Sequence, residues 1–220
     1  MKSKEKRDFI DSLNRTILMA FPKSRAVRKT EYLPKLESYE NAIASWEMTR
    51  GYLTDGYWRQ WIKTFPNFFN ADHMTLFLYL LSFEEARIGR IDSADRIAYL
   101  NRIRHGINVW HTVVLPTRLL FVHSTGTVLG RAKYSERFVC YQNVSIGASR
   151  GKYPVFLGSC VVYSGSSVLG NCEIGNNVVI GAGTLLIDQV IPANSKVFRK
   201  GGKICITPLN EDIAAEFFQD

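Results

Sequence analysis

From Phe156 to Ile191 the chain repeats every six residues: FLGSCV, VYSGSS, VLGNCE, IGNNVV, IGAGTL, LIDQVI. The first position is always apolar (Phe156, Val162, Val168, Ile174, Ile180, Leu186) and the fifth small or β-branched (Cys160, Ser166, Cys172, Val178, Thr184, Val190). A similar frame runs upstream from Val122 through VHSTGT, VLGRAK, YSERFV, CYQNVS and IGASRG, with Gly126, Ala132, Phe138, Val144 and Arg150 in fifth place. This period implies a parallel β-helix of triangular coils, one hexad per face. The aliphatic side chains stack in columns and the small ones fill the corners. Such stacking explains how a stretch so poor in large residues can hold a core. Arg150 falls where the frame fails, because the next apolar first position comes at Phe156. ASRGKYP, Ala148 to Pro154, is therefore expected to bulge out as a loop carrying Arg150, Lys152 and Tyr153, and loops on rigid scaffolds commonly hold function.

Before Gly106 the period is helical. Lys4 to Ala20 places Phe9, Ile10, Leu13, Ile17 and Leu18 near helical spacing, and His73 to Arg90 does so with Met74, Phe77, Leu78, Leu81 and Ala86. Tyr57 to Thr64 reads as a short aromatic-rich helix closed by Pro66, and SRAVRKTEYLPK as an irregular connection. IDSADRIAYLNRIRHG opens with Asp92 or Ser93 as cap and stops at Gly106. The expected class is α+β: a helical N-terminal domain over 1–105, a β-helix over 106–205, and a C-terminal tail over 206–220 that is open to a helical turn.

At 220 residues and 46% apolar composition the chain can bury a real core. It has no apolar run near the roughly 20 residues of a membrane span. The apolar part of its N-terminus, TILMAF, is shorter than the roughly 7–15 residues of a signal-peptide core. A cytoplasmic location is the expectation. Cys140, Cys160, Cys172 and Cys205 form no CxxC pair and have no histidine at ligand spacing, so they read as packing thiols and no metal is expected. The net charge of +8 suits an anionic partner, but no basic-aromatic motif points to nucleic acid.

The chain resembles the serine acetyltransferase branch of the left-handed β-helix acyltransferases. In that family a segment G-I-D-I-H-P opens the β-helix, and fifteen residues after its Asp comes D-H-x-T-G, whose His is the general base. Here GINVWH, Gly106 to His111, and VHSTG, Val122 to Gly126, stand at matching separation. The resemblance puts His123 on the catalytic His and Asn108 on its Asp partner. The family's G-G…R-H-P loop corresponds to GASRGKYP, with Gly147 and Ala148 for the glycines, Lys152 for the Arg and Tyr153 for the second His. The chain departs in having Val122 where the family has Asp before its base, and in having Lys152-Tyr153 and Asn108.

What the resemblance implies is acetyl transfer from acetyl-CoA to a hydroxyl, without metal. His123 would act as base and Asn108 as its orienter. Gly147 and Ala148 would offer backbone amides, and Arg150, Arg199, Lys200 and Lys203 cations for the cofactor. Tyr153, Lys152 and Trp110 would contact the acceptor. His111 and His105 rank below His123, and His73 lower still. The departures favour a sugar, sugar-nucleotide or glycan hydroxyl as acceptor, with serine the alternative. Two further readings are a non-catalytic β-helix for assembly or binding, and a metal-dependent hydratase resembling γ-type carbonic anhydrases. The histidine spacing disfavours the hydratase. The resemblance also implies a homotrimer, or a dimer of trimers, with sites between subunits.

Overall fold

A computed structural model describes residues 3–21, 33–54 and 66–219. Helix α1 spans Ser3–Ala20, α2 Leu36–Gly51, α3 Ala71–Arg87 and α4 Ile91–His105. The Tyr57–Thr64 segment and most of the predicted connection lie outside the described residues. Helix α2 was not foreseen. Its buried residues Tyr39, Ala42, Ile43 and Trp46 do follow helical spacing, but Ser38 and Thr49 are buried with them, which blurs the apolar stripe. Helix α3 is buried on almost every side and forms the centre of the helical half; Phe77 packs edge-on against Phe9 of α1.

The expected cap of α4 is corrected. Arg90 occupies the N-cap position, without a side-chain cap bond, and its guanidinium instead binds Glu85 at 2.8 Å. Ser93 is buried one turn inside. The stop at Gly106 stands as expected, with φ of 67°. Only glycine reaches that left-handed conformation at little cost.

Fourteen short strands follow among the described residues, from β1 (Asn108–Val109) to β14 (Lys203–Pro208). Three parallel sheets form the faces of the solenoid. The first stacks β1 (Asn108–Val109), β3 (Val128–Leu129), β5 (Ser145–Gly147), β8 (Ser167–Leu169) and β11 (Leu185–Ile187). The second stacks β2 (Leu119–Phe121), β4 (Phe138–Cys140), β7 (Cys160–Val162), β10 (Val178–Ile180) and β13 (Ser195–Lys200), with β14 closing its top as an antiparallel hairpin. The third stacks β6 (Val155–Phe156), β9 (Glu173–Ile174) and β12 (Val190–Ile191).

Phe156, Val162, Val168, Ile174, Ile180 and Leu186 all point into the prism and are buried, as the hexad frame requires. Cys140, Cys160 and Cys172 are buried among them, and Cys205 is half-buried. The frame shifts at both ends. Phe121 and Leu129 occupy the columns in place of Val122 and Val128, and Ile191 stacks on Ile174 where the frame would put Pro192; Val190, expected in an inward fifth place, is 69% exposed. Phe138 fills a fifth place where a small residue was expected; it and Tyr134 both pack against Phe156.

The tail covers one face. Val139, Val161 and Val179 sit between inward-pointing neighbours on the second sheet, yet all three are buried. A 3₁₀ turn, Ile213–Glu216, and the buried Ala214, Phe217 and Phe218 lie in the segment that runs back along this sheet. Its end pairs with the helical half: Thr54 N donates to the Phe217 carbonyl at 3.0 Å and Gln219 N to that of Tyr52 at 2.8 Å.

Candidate active site

The corner between β2 and β3 differs from those above it. Phe121 pairs with Cys140 and Val128 with Ser145, so the lower coil spends two more residues than its neighbour on the same corner. The inserted pair is identified by its flanks. Val122 N bonds the Cys140 carbonyl below the corner, and Asn143 N bonds the Thr125 carbonyl beyond it. His123 and Ser124 are the extra residues. They leave the coil path, which is why the hexad frame fails here.

The bulge places His123 on the outside, exposed, with φ of 52°. Its backbone N–H, displaced from the ladder, donates to Asp72 Oδ2 at 2.9 Å. The Ser124 N–H donates to Asp72 Oδ1 at 2.9 Å, and its hydroxyl lies 3.0 Å from the same oxygen. Asp72 sits in the first turn of α3, where the helix dipole favours a carboxylate. No sequence motif pointed to Asp72. The only available signal was that a two-residue insertion frees two amides that must find acceptors.

The other candidates surround one face. Asn108 lies on β1 beside inward-pointing Val109, so its side chain stands on the outer side of the first sheet, with Val128, Ser145, Ser167 and Leu185 above it in register. Its backbone N–H bonds the Thr127 carbonyl at 2.9 Å. No hydrogen bond among the described residues joins its side chain to the His123 ring. Trp110, 42% exposed, begins a second outer row that continues through Gly130, Gly147, Leu169 and Ile187. A side chain at Gly147 would enter open space, so the backbone there can be approached closely.

Ala148 to Pro154 loops out at the opposite edge of that sheet, as the frame slip implied. Ser149 and Lys152 pair across a tight turn whose central residues, Arg150 and Gly151, have φ of 50° and 76°. Arg150, Lys152 and Tyr153 are exposed, and Arg131 lies 5.6 Å over the Tyr153 ring. Within one chain, His123 and this loop stand on different edges and different coils.

Arg199 and Lys200 end β13 and, with Lys203, flank the Gly201-Gly202 turn; all three cations are exposed. The register carries Thr125, Gln142, Ser164 and Ala182 up a single edge, and Arg199 follows two residues beyond Val197, the last residue paired with the strand below. Four coil steps of about 4.8 Å separate the His123 bulge from these cations, roughly 19 Å.

The remaining histidines have structural partners. His111 is buried and its Nε2 lies 2.7 Å from Asp95 Oδ1. His73 is buried in α3, with its Nδ1 accepting from the Asn67 N–H at 3.3 Å. Burial holds the His105 imidazole below its usual pKa; neighbouring Arg104 adds to this and Asp72 opposes it. Among the described residues, no group of three His, Cys, Asp or Glu side chains gathers to hold a metal.

No protein-family model matches the chain. Among characterised proteins it is 30% identical over 113 residues to a serine acetyltransferase of Synechococcus elongatus, covering 49% of this chain and 46% of that protein. It is 31% identical over 117 residues to a Staphylococcus aureus serine acetyltransferase, covering 51% and 54%. The chain thus spans about half the length of the curated relatives it matches. Its structure superposes on serine acetyltransferase from Brucella abortus with a TM-score of 0.64 at 17% identity, over 80% of this chain and 72% of that one. For the Vibrio cholerae enzyme the TM-score is 0.64 at 15% identity, over 95% and 92%. The fold is that of the serine acetyltransferases. Helices followed by a parallel β-solenoid of about five turns are common to both. A serine acetyltransferase solved in complex with CoA superposes with a TM-score of 0.60 at 15% identity, over 92% of this chain and 98% of that one. No helix among the described residues is long and apolar enough to cross a membrane.

Proposed function

We propose that this chain is an acetyl-CoA-dependent O-acetyltransferase with His123 as general base and L-serine as acceptor. The observation that carries the reading is the two-residue bulge. It lifts His123 out of the coil, on the same edge as the Arg199–Lys203 hairpin, in a chain with the serine acetyltransferase fold. The roughly 19 Å between them suits a pantetheine arm laid along the edge, with its phosphates at the cations.

Acetyl-CoA supplies the activated acyl carbonyl, and the chain's residues position it and move one proton. The base for this step is the imidazole of the exposed His123. His123 takes the hydroxyl proton as the acceptor oxygen attacks the carbonyl carbon. It returns that proton to the departing thiol sulfur as the C–S bond breaks. Asn108 is retained as orienter through its side-chain carbonyl; catalytic hydrogen bonds often tighten only in the substrate complex. Backbone amides at Gly147 and Ala148 are assigned to the developing oxyanion, where one donor is worth about 3 kcal/mol.

These groups stand on opposite edges of the first sheet, so the reading includes a homotrimer in which one subunit's His123 edge meets the next subunit's Gly147 loop. The first and third faces are the ones left uncovered by the tail.

One observation favours a second acceptor class, a sugar hydroxyl. The residue before His123 is the buried Val122, and both oxygens of the nearby Asp72 are already engaged, so neither offers a carboxylate to an amino acid's ammonium. Following free thiol release with acetyl-CoA and L-serine, against a panel of sugars and sugar nucleotides, separates the two. Turnover with serine supports the main reading. Turnover only with sugars transfers it to the second, and no turnover with either supports a binding or assembly role.

A further inference from the structure

We propose that Asp72 is a positioning residue for His123, fixing the general base from outside the β-helix. This deepens the acetyltransferase reading and rests on it.

A bulge of two residues at a solenoid corner has two problems. Its amides have lost their ladder partners, and its backbone must enter sparsely populated conformations. His123 shows both, with a displaced N–H and a φ of 52°, which is disfavoured for a residue carrying a Cβ. A strained residue keeps one geometry only when its surroundings over-determine it.

Asp72 supplies that determination. One carboxylate takes both bulge amides, one on each oxygen, each at 2.9 Å, and the Ser124 hydroxyl besides. The Ser124 hydroxyl also lies 3.3 Å from Thr75 Oγ1, one turn further along α3. The carboxylate is itself held. Asp72 is only 9% exposed and lies in the first turn of a 17-residue helix whose start is capped by Asn70 accepting from His73 N at 3.1 Å. The helical half thus reaches into the solenoid at the residue that carries the chemistry. A base displaced by about 1 Å can lose two orders of magnitude in rate.

The test compares Asp72→Asn and Asp72→Ala with the wild-type chain, measuring kcat and KM for acetyl-CoA alongside melting temperature. Asn keeps one acceptor oxygen and turns an amide NH₂ toward the other N–H; Ala removes both acceptors. The expected result is a fall in kcat of at least about tenfold for Asn and more for Ala, with KM for acetyl-CoA within about twofold. Variants that melt earlier but keep wild-type kcat would overturn the proposal. Backbone amide exchange of the wild-type chain gives a readout that needs neither activity nor a folded variant. The amides of His123 and Ser124 should exchange slowly although His123 is exposed, and exchange as fast as in an open loop would overturn the proposal. Slow exchange with no acetyl transfer by the wild type would refute the acetyltransferase reading while leaving the Asp72 clamp in place.

Discussion

The carboxylate of Asp95 and the ring of His111 meet at 2.7 Å across the join between the last helix and the first coil. The ring is 4% exposed and the carboxylate 45%, so a buried nitrogen is tied to a partner at the surface. Asp95→Ala would leave that nitrogen unpaired. The expected loss is about 1–2 kcal/mol, read as a lower urea midpoint with an unchanged slope.

Glu85 is a fully buried carboxylate of the helical half, accepting from the Lys35 amide at 2.9 Å and from Arg90 at 2.8 Å. Burial pushes its pKa up. The neighbouring Ser38 and Ser93 hydroxyls, the Arg90 guanidinium and the Lys35 amide outweigh that and hold it below the usual carboxylate range. A carboxyl depressed in the folded state stabilises it above the unfolded pKa, near 4.3, and loses that contribution as pH falls through the folded value. Glu85→Gln should therefore cost about 3 kcal/mol at pH 7. The gap to wild type should narrow below about pH 4 in denaturation curves measured across pH.

Two glycines should behave oppositely. A Cβ at Gly175 would overlap the backbone of Ala193 and Pro192 in the next coil, whereas one at Gly147 would meet open space. Gly175→Ala should destabilise by about 1–3 kcal/mol. Gly147→Ala should leave the melting temperature within about 2 °C of wild type while raising KM for acetyl-CoA, because it narrows the approach to the backbone.

The hexad columns were legible because burial in a solenoid is periodic in sequence: Phe156, Val162, Val168, Ile174, Ile180 and Leu186 needed only their spacing to be placed. Ala148 to Pro154 was legible for the same reason, since four surplus residues have nowhere to go but out. Local irregularity was not. One inserted pair at His123-Ser124 shifts the columns to Phe121 and Leu129, and a step shortened by one residue moves Ile191 into the place the frame gave to Pro192. A motif could propose His123, but Asp72 lies 51 residues away and is joined to it only by the folded chain. The tail's role was equally hidden, because Phe217 and Phe218 become buried only where the folded chain brings them beside the Tyr52–Thr54 segment.

The cations at the top of the edge are assigned to binding rather than chemistry. Substituting Arg199 and Lys200 together with Ala should raise KM for acetyl-CoA several-fold, about fivefold or more, with kcat within about twofold. The penalty should shrink at high ionic strength, where exposed charges are screened over about 3 Å at 1 M salt. Initial-rate kinetics at two salt concentrations check both statements.

The most direct test is the rate of acetyl transfer to L-serine by His123→Ala, with fold verified by circular dichroism. General-base catalysis predicts a fall in kcat of about 10²- to 10⁴-fold with the melting temperature preserved. A variant that transfers acetyl at the wild-type rate would contradict the assignment of His123 as the base.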